Sequence, residues 1–299
     1  MTDIYVVYHE DCLDGYGAAW AAYKLFGEEA TYVPTIPTTG ANMTVFLEEN
    51  IPDDVTVYAV DIAFPPEALD LLAARTKRVI ILDHHQTAID SYKDYVVPTN
   101  VELHMDPTHS GAIIAWTYFH REKKIPEILL YIEDRDLWKW ELQDSEAILL
   151  ALDAYPYTWG TMDRLVNALD RLKTEGQAIL KYRNQMIDLQ LKAAHEIRLT
   201  ISEWTGPDEP AKTEYVVPAV NCSIRAVVSE VCHELLNKNP SAPFVVAYRR
   251  GSDGRWWYSL RSRKGDFDVA AFAEAYAKGG GHPSAAGMDT DNPPQVVVT

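Results

Sequence analysis

The stretch Arg78-Val79-Ile80-Ile81-Leu82-Asp83-His84-His85 decides how the rest of this 299-residue chain is read. Its first five residues form an apolar, β-branched run that predicts a buried strand, and three polar, metal-competent side chains emerge where the run stops. In open α/β sheets the ligand crevice lies beyond the carboxyl ends of the strands. A His pair with a carboxylate at this point can therefore divide metal ligation, orientation and phosphate binding among its members. A His pair after a strand is as often a purely structural cluster, so the reading depends on further ligands at other strand ends.

Those ends are present. Ile4-Tyr5-Val6-Val7-Tyr8 predicts a strand followed by a polar turn from His9 to Gly15 and an apolar helix from Tyr16 to Phe26 that Gly27 stops. Thr56 to Val60 predicts a second strand ending at Asp61, with Pro65 or Pro66 opening a helix to about Arg75. Strands alternating with helices predict an α/β fold whose N-terminal part is a doubly wound, mainly parallel sheet. Further on, a helix is expected from Gly111 to Arg121, and Pro126 opens another that ends near Glu133-Asp134-Arg135-Asp136. From Thr161 to Ile201 a long amphipathic pattern predicts a helical connector, and Gly206-Pro207-Asp208-Glu209-Pro210 breaks it. A smaller α/β domain follows, with strands at Tyr215 to Val220, Phe244 to Arg249 and Trp256 to Arg261, and helices at Ser223 to Leu236 and Asp268 to Ala277. The expected domains are 1–160, the connector 161–210 and 211–299.

The composition narrows the function. A formal charge of −17 disfavours long duplex nucleic acid, whose affinity comes from Lys and Arg neutralising phosphates. Almost all of the acidic excess lies before residue 200. The remainder is close to neutral and gathers Arg249, Arg250, Arg255, Arg261, Arg263 and Lys264, a balance suited to a small phosphorylated ligand. With no apolar leader and no membrane-length apolar run, the expectation is a cytoplasmic protein. Cys12, Cys222 and Cys232 are three scattered residues, read as free thiols rather than as a disulfide framework or a Cys-based zinc site.

Taken together, the strand ends offer His9, Asp11, Asp14, Asp61, Asp83, His84 and His85, with Asp134 and Asp136 from a helix end. Imidazoles among many carboxylates fit Mn2+, Mg2+ or Co2+ better than structural zinc, and two ions would offset the like charge. His104, His109, His120, His195 and His233 are read as packing or surface residues.

The ordered segments His9-Glu10-Asp11-Cys12-Leu13-Asp14-Gly15, Val60-Asp61, Asp83-His84-His85 and Glu133-Asp134-Arg135-Asp136 resemble the motifs of the DHH phosphoesterase superfamily. Ser259-Leu260-Arg261-Ser262 and Gly279-Gly280-Gly281-His282-Pro283-Ser284-Ala285-Ala286-Gly287 resemble those of its DHH-associated C-terminal domain. The resemblance covers nearly the whole chain. It implies His9, Asp11 and a bridging Asp61 on one divalent cation, with Asp14, Asp61, His84 and Asp134 on the other. Asp136 is the alternative to Asp134, either as a ligand or as a partner of Arg135. His85 would contact the scissile phosphate and Asp83 would orient a neighbouring His. One departure stands out: Asp11 and Asp14 are three apart, where many relatives space the two aspartates by two, so one extra residue must be absorbed. In the C-terminal domain Ser259, Arg261, Gly279, Gly280, Gly281 and His282 are expected to bind substrate, the glycines through backbone N–H groups, with Asn221 a weaker candidate. A Trp near the site could stack a base, but the sequence does not say which.

The resemblance extends to the nanoRNase and cyclic nucleotide phosphodiesterase branch. It implies a two-metal hydrolase, with Mn2+ foremost, acting on short oligonucleotides or cyclic nucleotides, with a homodimer among the possible states. The rival readings are a pyrophosphatase or exopolyphosphatase, a 3′-phosphoadenosine 5′-phosphate phosphatase, and a nucleotide-binding protein whose catalytic site has decayed.

Overall fold

The structure is a computed structural model that describes residues 3–38, 40–201, 213–277 and 279–297. It divides into two compact units, Met1–Leu180 and Lys181–Thr299.

The first unit is built on five strands: β1 (Ile4–His9), β2 (Ala30–Thr35), β3 (Thr56–Val60), β4 (Arg78–Asp83) and β5 (Val101–Met105). They lie in the order β2-β1-β3-β4-β5, and every pair is parallel. Successive residues feed opposite faces. Val6, Ile80 and Leu82 pack on one side with α1 (Leu13–Phe26) and α5 (Gly111–Phe119), while Val7, Val79 and Ile81 pack on the other with α2 (Gly40–Asn50) and α3 (Pro66–Arg75). Coverage of both faces is why β4 reads as an unbroken apolar run instead of an alternating one. The chain reverses its winding direction between β1 and β3, which makes their carboxyl ends the switch point of the sheet.

Small residues bring α1 close to α5: a Cβ added at Gly17 would sit 3.0 Å from the Ala112 Cβ. The rest of the unit is helical, with α4 (Gln86–Ser91), α6 (Glu127–Asp136), α7 (Ser145–Asp153), α8 (Trp159–Leu165) and α9 (Leu169–Lys192). The unit boundary falls within α9.

The second unit is a seven-stranded mixed sheet of β6 (His195–Ile201), β7 (Thr213–Asn221), β8 (Phe244–Arg250), β9 (Trp256–Ser262), β10 (Gly280–His282), β11 (Ala285–Thr290) and β12 (Gln295–Val296). Their order is β10-β11-β9-β8-β7-β6-β12, and two helices, α10 (Val228–Lys238) and α11 (Val269–Ala277), complete the unit.

The helical reading of 161–201 fails at its end. Residues His195 to Ile201 form β6, antiparallel to β7, because Ile197, Leu199 and Ile201 alternate into the core with period two. The break at Gly206 to Pro210, and with it the end of the connector at 210, lies outside the described residues. Helix α10 begins at Val228, later than the expected Ser223, after a single tight turn at Arg225–Val227. The glycine run is not a free loop either: Gly280 and Gly281 pair with Gly287 and Ala286 in the edge strand β10.

Candidate metal centre

Asp61 follows β3 and anchors the cluster. Its backbone N–H donates to the Leu82 carbonyl at 2.9 Å, and its φ of +56° is a left-handed conformation that costs energy in any residue but glycine. The side chain is 1% exposed, and neither of its oxygens has a hydrogen-bond partner among the described residues. One oxygen lies 3.4 Å from His9 Nδ1 and the other 3.3 Å from His84 Nε2. Both of those ring nitrogens are themselves buried without a hydrogen bond. A buried carboxylate left this way is costly unless something charged satisfies it.

His84 Nε2 also lies 3.4 Å from an Asp136 oxygen and 3.7 Å from one of Asp14. Asp14 sits in the first turn of α1, and its oxygens accept the N–H groups of Gly111 and Ala112, at 2.6 and 3.0 Å, from the start of α5. Gly111 has to be a glycine here. A Cβ would stand 2.5 Å from the Cβ of Asp61 and 2.6 Å from its Oδ1. Gly15 is held to the same identity by the His9 carbonyl oxygen, 2.2 Å from where its Cβ would be. Asp83 turns inward below the pair of histidines. Its Oδ1 accepts the His84 N–H at 2.8 Å and lies 2.7 Å from His85 Nδ1.

The electrostatics follow from this crowding. Burial, together with repulsion from Asp61 and Asp136, pushes the Asp14 carboxyl well above the usual range, and burial likewise raises Asp136. For Asp61, burial acts upward but the imidazoles of His84 and His9 more than reverse it. His9 is raised to about 10 by Asp61 and the neighbouring Cys12, and His85 is raised by Asp83. The centre therefore favours protonated imidazoles and carboxyls, the protons bringing positive charge of the kind divalent cations would otherwise supply.

Ligand atoms of His9, Cys12 and Asp61 form one group within 4.8 Å, and those of Asp14, His84 and Asp136 form another. Either could hold a divalent cation, and the orphaned oxygens of Asp61 suit one.

Two expected ligands are not brought together with the rest. Asp11 is exposed with φ +54°, and the neighbouring Cys12, two positions before Asp14, lies beside His9 and Asp61 instead. Asp134 belongs to none of these groups, and its carboxylate accepts the N–H groups of Glu141 and Leu142 at 2.8 and 3.3 Å. Asp136, two residues on and about 200° around the helix, takes the place at His84. Arg135 pairs with Asp153 at 2.6 Å, leaving Asp136 to the cluster. His109, read as a packing residue, joins Lys139 in holding Glu133, each at 3.0 Å.

In the second unit Ser259, Arg261 and Gly279 line a cavity of about 640 Å³, together with Arg225, Ser229, Arg249 and Trp257. Register explains the grouping. Ala247, Ser259 and Gly287 are partners across β8, β9 and β11 and form a floor of small side chains, and Arg249 and Trp257 stand two residues along on the same face. The Arg249 guanidinium lies 5.5 Å from the centre of the Trp257 ring. Arg261 Nη2 donates to the Ser229 hydroxyl at 3.2 Å. Gly280, Gly281, His282 and Asn221 do not line this cavity. His282 is nevertheless in line with Ala285 and Arg261 across the strands, on the cavity face. Period-two alternation along β9 was the signal in the sequence that could have singled out Trp257.

The described residues thus form two α/β units, the first gathering imidazoles and carboxylates at one edge of its parallel sheet and the second carrying an arginine-lined cavity. Residues 213–297 match the DHHA1 domain, the DHH-associated C-terminal domain of the DHH phosphoesterase superfamily, so the resemblance drawn from the motifs is borne out at the level of the superfamily. That domain supports a hydrolase. An uncharacterised protein of Acanthamoeba polyphaga mimivirus is 24% identical over 95% of this chain, which spans 66% of that relative's length. Among solved structures, CDC45 of Entamoeba histolytica is similar in fold, with a TM-score of 0.50 and 9% identity over 97% of this chain and 92% of its own. An uncharacterised protein from Helicobacter pylori aligns over 97% of this chain and 94% of its own at 14% identity, with a TM-score of 0.37. Among the described residues no helix is long and apolar enough to cross a membrane.

Proposed function

We propose that this chain is a divalent-cation-dependent phosphodiesterase that hydrolyses short oligonucleotides or cyclic nucleotides to mononucleotides. The observation that carries the proposal is Asp61, a buried carboxylate whose two oxygens make no hydrogen bond among the described residues and each face a different imidazole, so that it could serve a cation held on either side. His9 and Asp61 would hold one cation, and Asp14, Asp61, His84 and Asp136 the other, with Mn2+ the expected occupant of the second. Bound there, divalent cations polarise a phosphoryl oxygen and lower the pKa of water. The protein supplies the rest. Asp83 holds His85 through Nδ1, fixes its ring and favours its protonated form, so the opposite nitrogen, Nε2, is a donor for a phosphoryl oxygen.

Arg261 and Ser259 supply the chemistry that grips a phosphate, and Trp257 offers a ring face to a base. An aromatic beside arginines favours a nucleotide over polyphosphate, which has no base to stack. Replacing Arg261 by Ala is expected to raise KM for a dinucleotide about tenfold or more with kcat changed only a few-fold, the pattern of lost ground-state binding. Steady-state kinetics check this split. The substrate is tested by chromatography of products from dinucleotides, cyclic mono- and dinucleotides, 3′-phosphoadenosine 5′-phosphate, pyrophosphate and polyphosphate. Turnover of polyphosphate or pyrophosphate alone would sink the proposal.

Cation binding is expected to release protons. His9, raised to about 10 in the ligand-free protein, is protonated at neutral pH and must give up its proton to ligate. Affinity for a divalent cation at that half therefore rises with pH up to about 10 and weakens progressively as pH falls below it. Calorimetry in two buffers of different ionisation enthalpy measures the protons released, and none released would contradict the assignment of His9.

A further inference from the structure

Cys12 stands where the turn after β1 enters α1, and its sulfur belongs to the group formed with His9 and Asp61. A cysteine alone at a helix start would mean little. Here the buried Asp61 carboxylate, neither oxygen of which makes a hydrogen bond among the described residues, and the His9 imidazole, whose Nδ1 makes none either, each bring a ligand atom within 4.8 Å of the sulfur. The other half of the centre contains only oxygen and imidazole donors: Asp14, His84 and Asp136. Thiolates favour borderline and soft ions such as Zn2+, Co2+ and Fe2+, whereas carboxylates suit Mg2+ and Mn2+.

We infer that Cys12 is a thiolate ligand in the His9 half of the centre, so that the two halves differ in metal preference, one taking a thiophilic transition ion and the other a harder cation. This rests on the two-cation reading above and adds to it a ligand and a selectivity. It also fits the exposure of Asp11, since the next residue, beside His9 and Asp61, carries sulfur. The chemistry is proton-balanced, since the thiol loses its proton to solvent as the sulfur–metal bond forms.

Co2+ is the probe. Titrating the metal-free 299-residue chain is expected to produce an intense near-ultraviolet thiolate-to-cobalt absorption that saturates with one ion, beside weaker visible bands from both. In Cys12→Ser the near-ultraviolet band is lost, the visible bands persist, and one of the two Co2+ affinities falls at least about tenfold. Cys12→Asp lacks the band and binds Mn2+ at that half more tightly than Cys12→Ser does, which also shows that the site still folds. Cys222→Ala and Cys232→Ala keep the band. A band that survives Cys12→Ser, or one that is absent from the unsubstituted chain at saturating Co2+, overturns the assignment. No substrate is present, so the two proposals fail separately: a Cys12-dependent band in a chain that cleaves no phosphodiester leaves this ligand standing and removes the activity.

Discussion

Asp61→Asn should reduce kcat on the order of 1000-fold and abolish binding of the second divalent cation. The estimate follows from what the carboxylate does. Its oxygens face His9 and His84 separately, so neutralising one side chain weakens both halves at once. Lewis-acid assistance is worth several kcal/mol of barrier, and about 4 kcal/mol corresponds to about three powers of ten in rate. Asparagine is the right probe because of the backbone. At φ +56° it is, after glycine, among the residues that tolerate the left-handed region best, whereas alanine would add about 1 kcal/mol or more of strain and confuse folding with chemistry. Metal stoichiometry by equilibrium dialysis and initial rates with Mn2+ test this together. Two ions bound and unchanged turnover would remove the bridge.

A paired substitution at the end of α6 separates two neighbouring aspartates. In Asp136→Asn, turnover is expected to fall about 100-fold or more, the scale for losing one electrostatic contact to the reacting centre. The folded state should be unharmed or slightly stabilised, because burial and the charge of Asp61 already disfavour the ionised Asp136. Asp134→Asn should do the opposite. Its carboxylate caps two backbone N–H groups of the segment after the helix, and weakening those charge-assisted bonds costs about 1–3 kcal/mol, or several degrees of Tm, with most activity retained. Rates and thermal melts on both variants decide it. A reversed pattern would return the ligand role to Asp134.

Much of the centre was legible because strand ends announce themselves. Val79 to Leu82 is apolar on both faces, and the polarity of Asp83, His84 and His85 begins where the sheet stops. His9 and Asp61 are found the same way, and the parallel order of β1, β3 and β4 brings all three ends to one edge. The same logic failed where local pattern was ambiguous. Residues 195–201 follow α9 after only two intervening residues, and the short alternation of Ile197, Leu199 and Ile201 was hidden by the longer amphipathic pattern before it. Ala30 to Thr35, Val101 to Met105 and Ser145 to Asp153 went unread as elements, although their packing in the first unit is unremarkable once seen.

By itself the sequence determined the fold class, the superfamily motifs and the set of strand-end residues from which a metal centre can be assembled, because the period of burial and the identity of the side chains are local properties. Only the tertiary structure decided which members of that set converge. Asp136, and not Asp134, lies beside His84 because of how α6 packs against α1 and α5, and Cys12, and not Asp11, lies beside His9 and Asp61 at the entry to α1. The requirement for glycine at 111 exists only because α5 starts against the Asp61 carboxylate, a contact between residues 50 positions apart that no local pattern encodes.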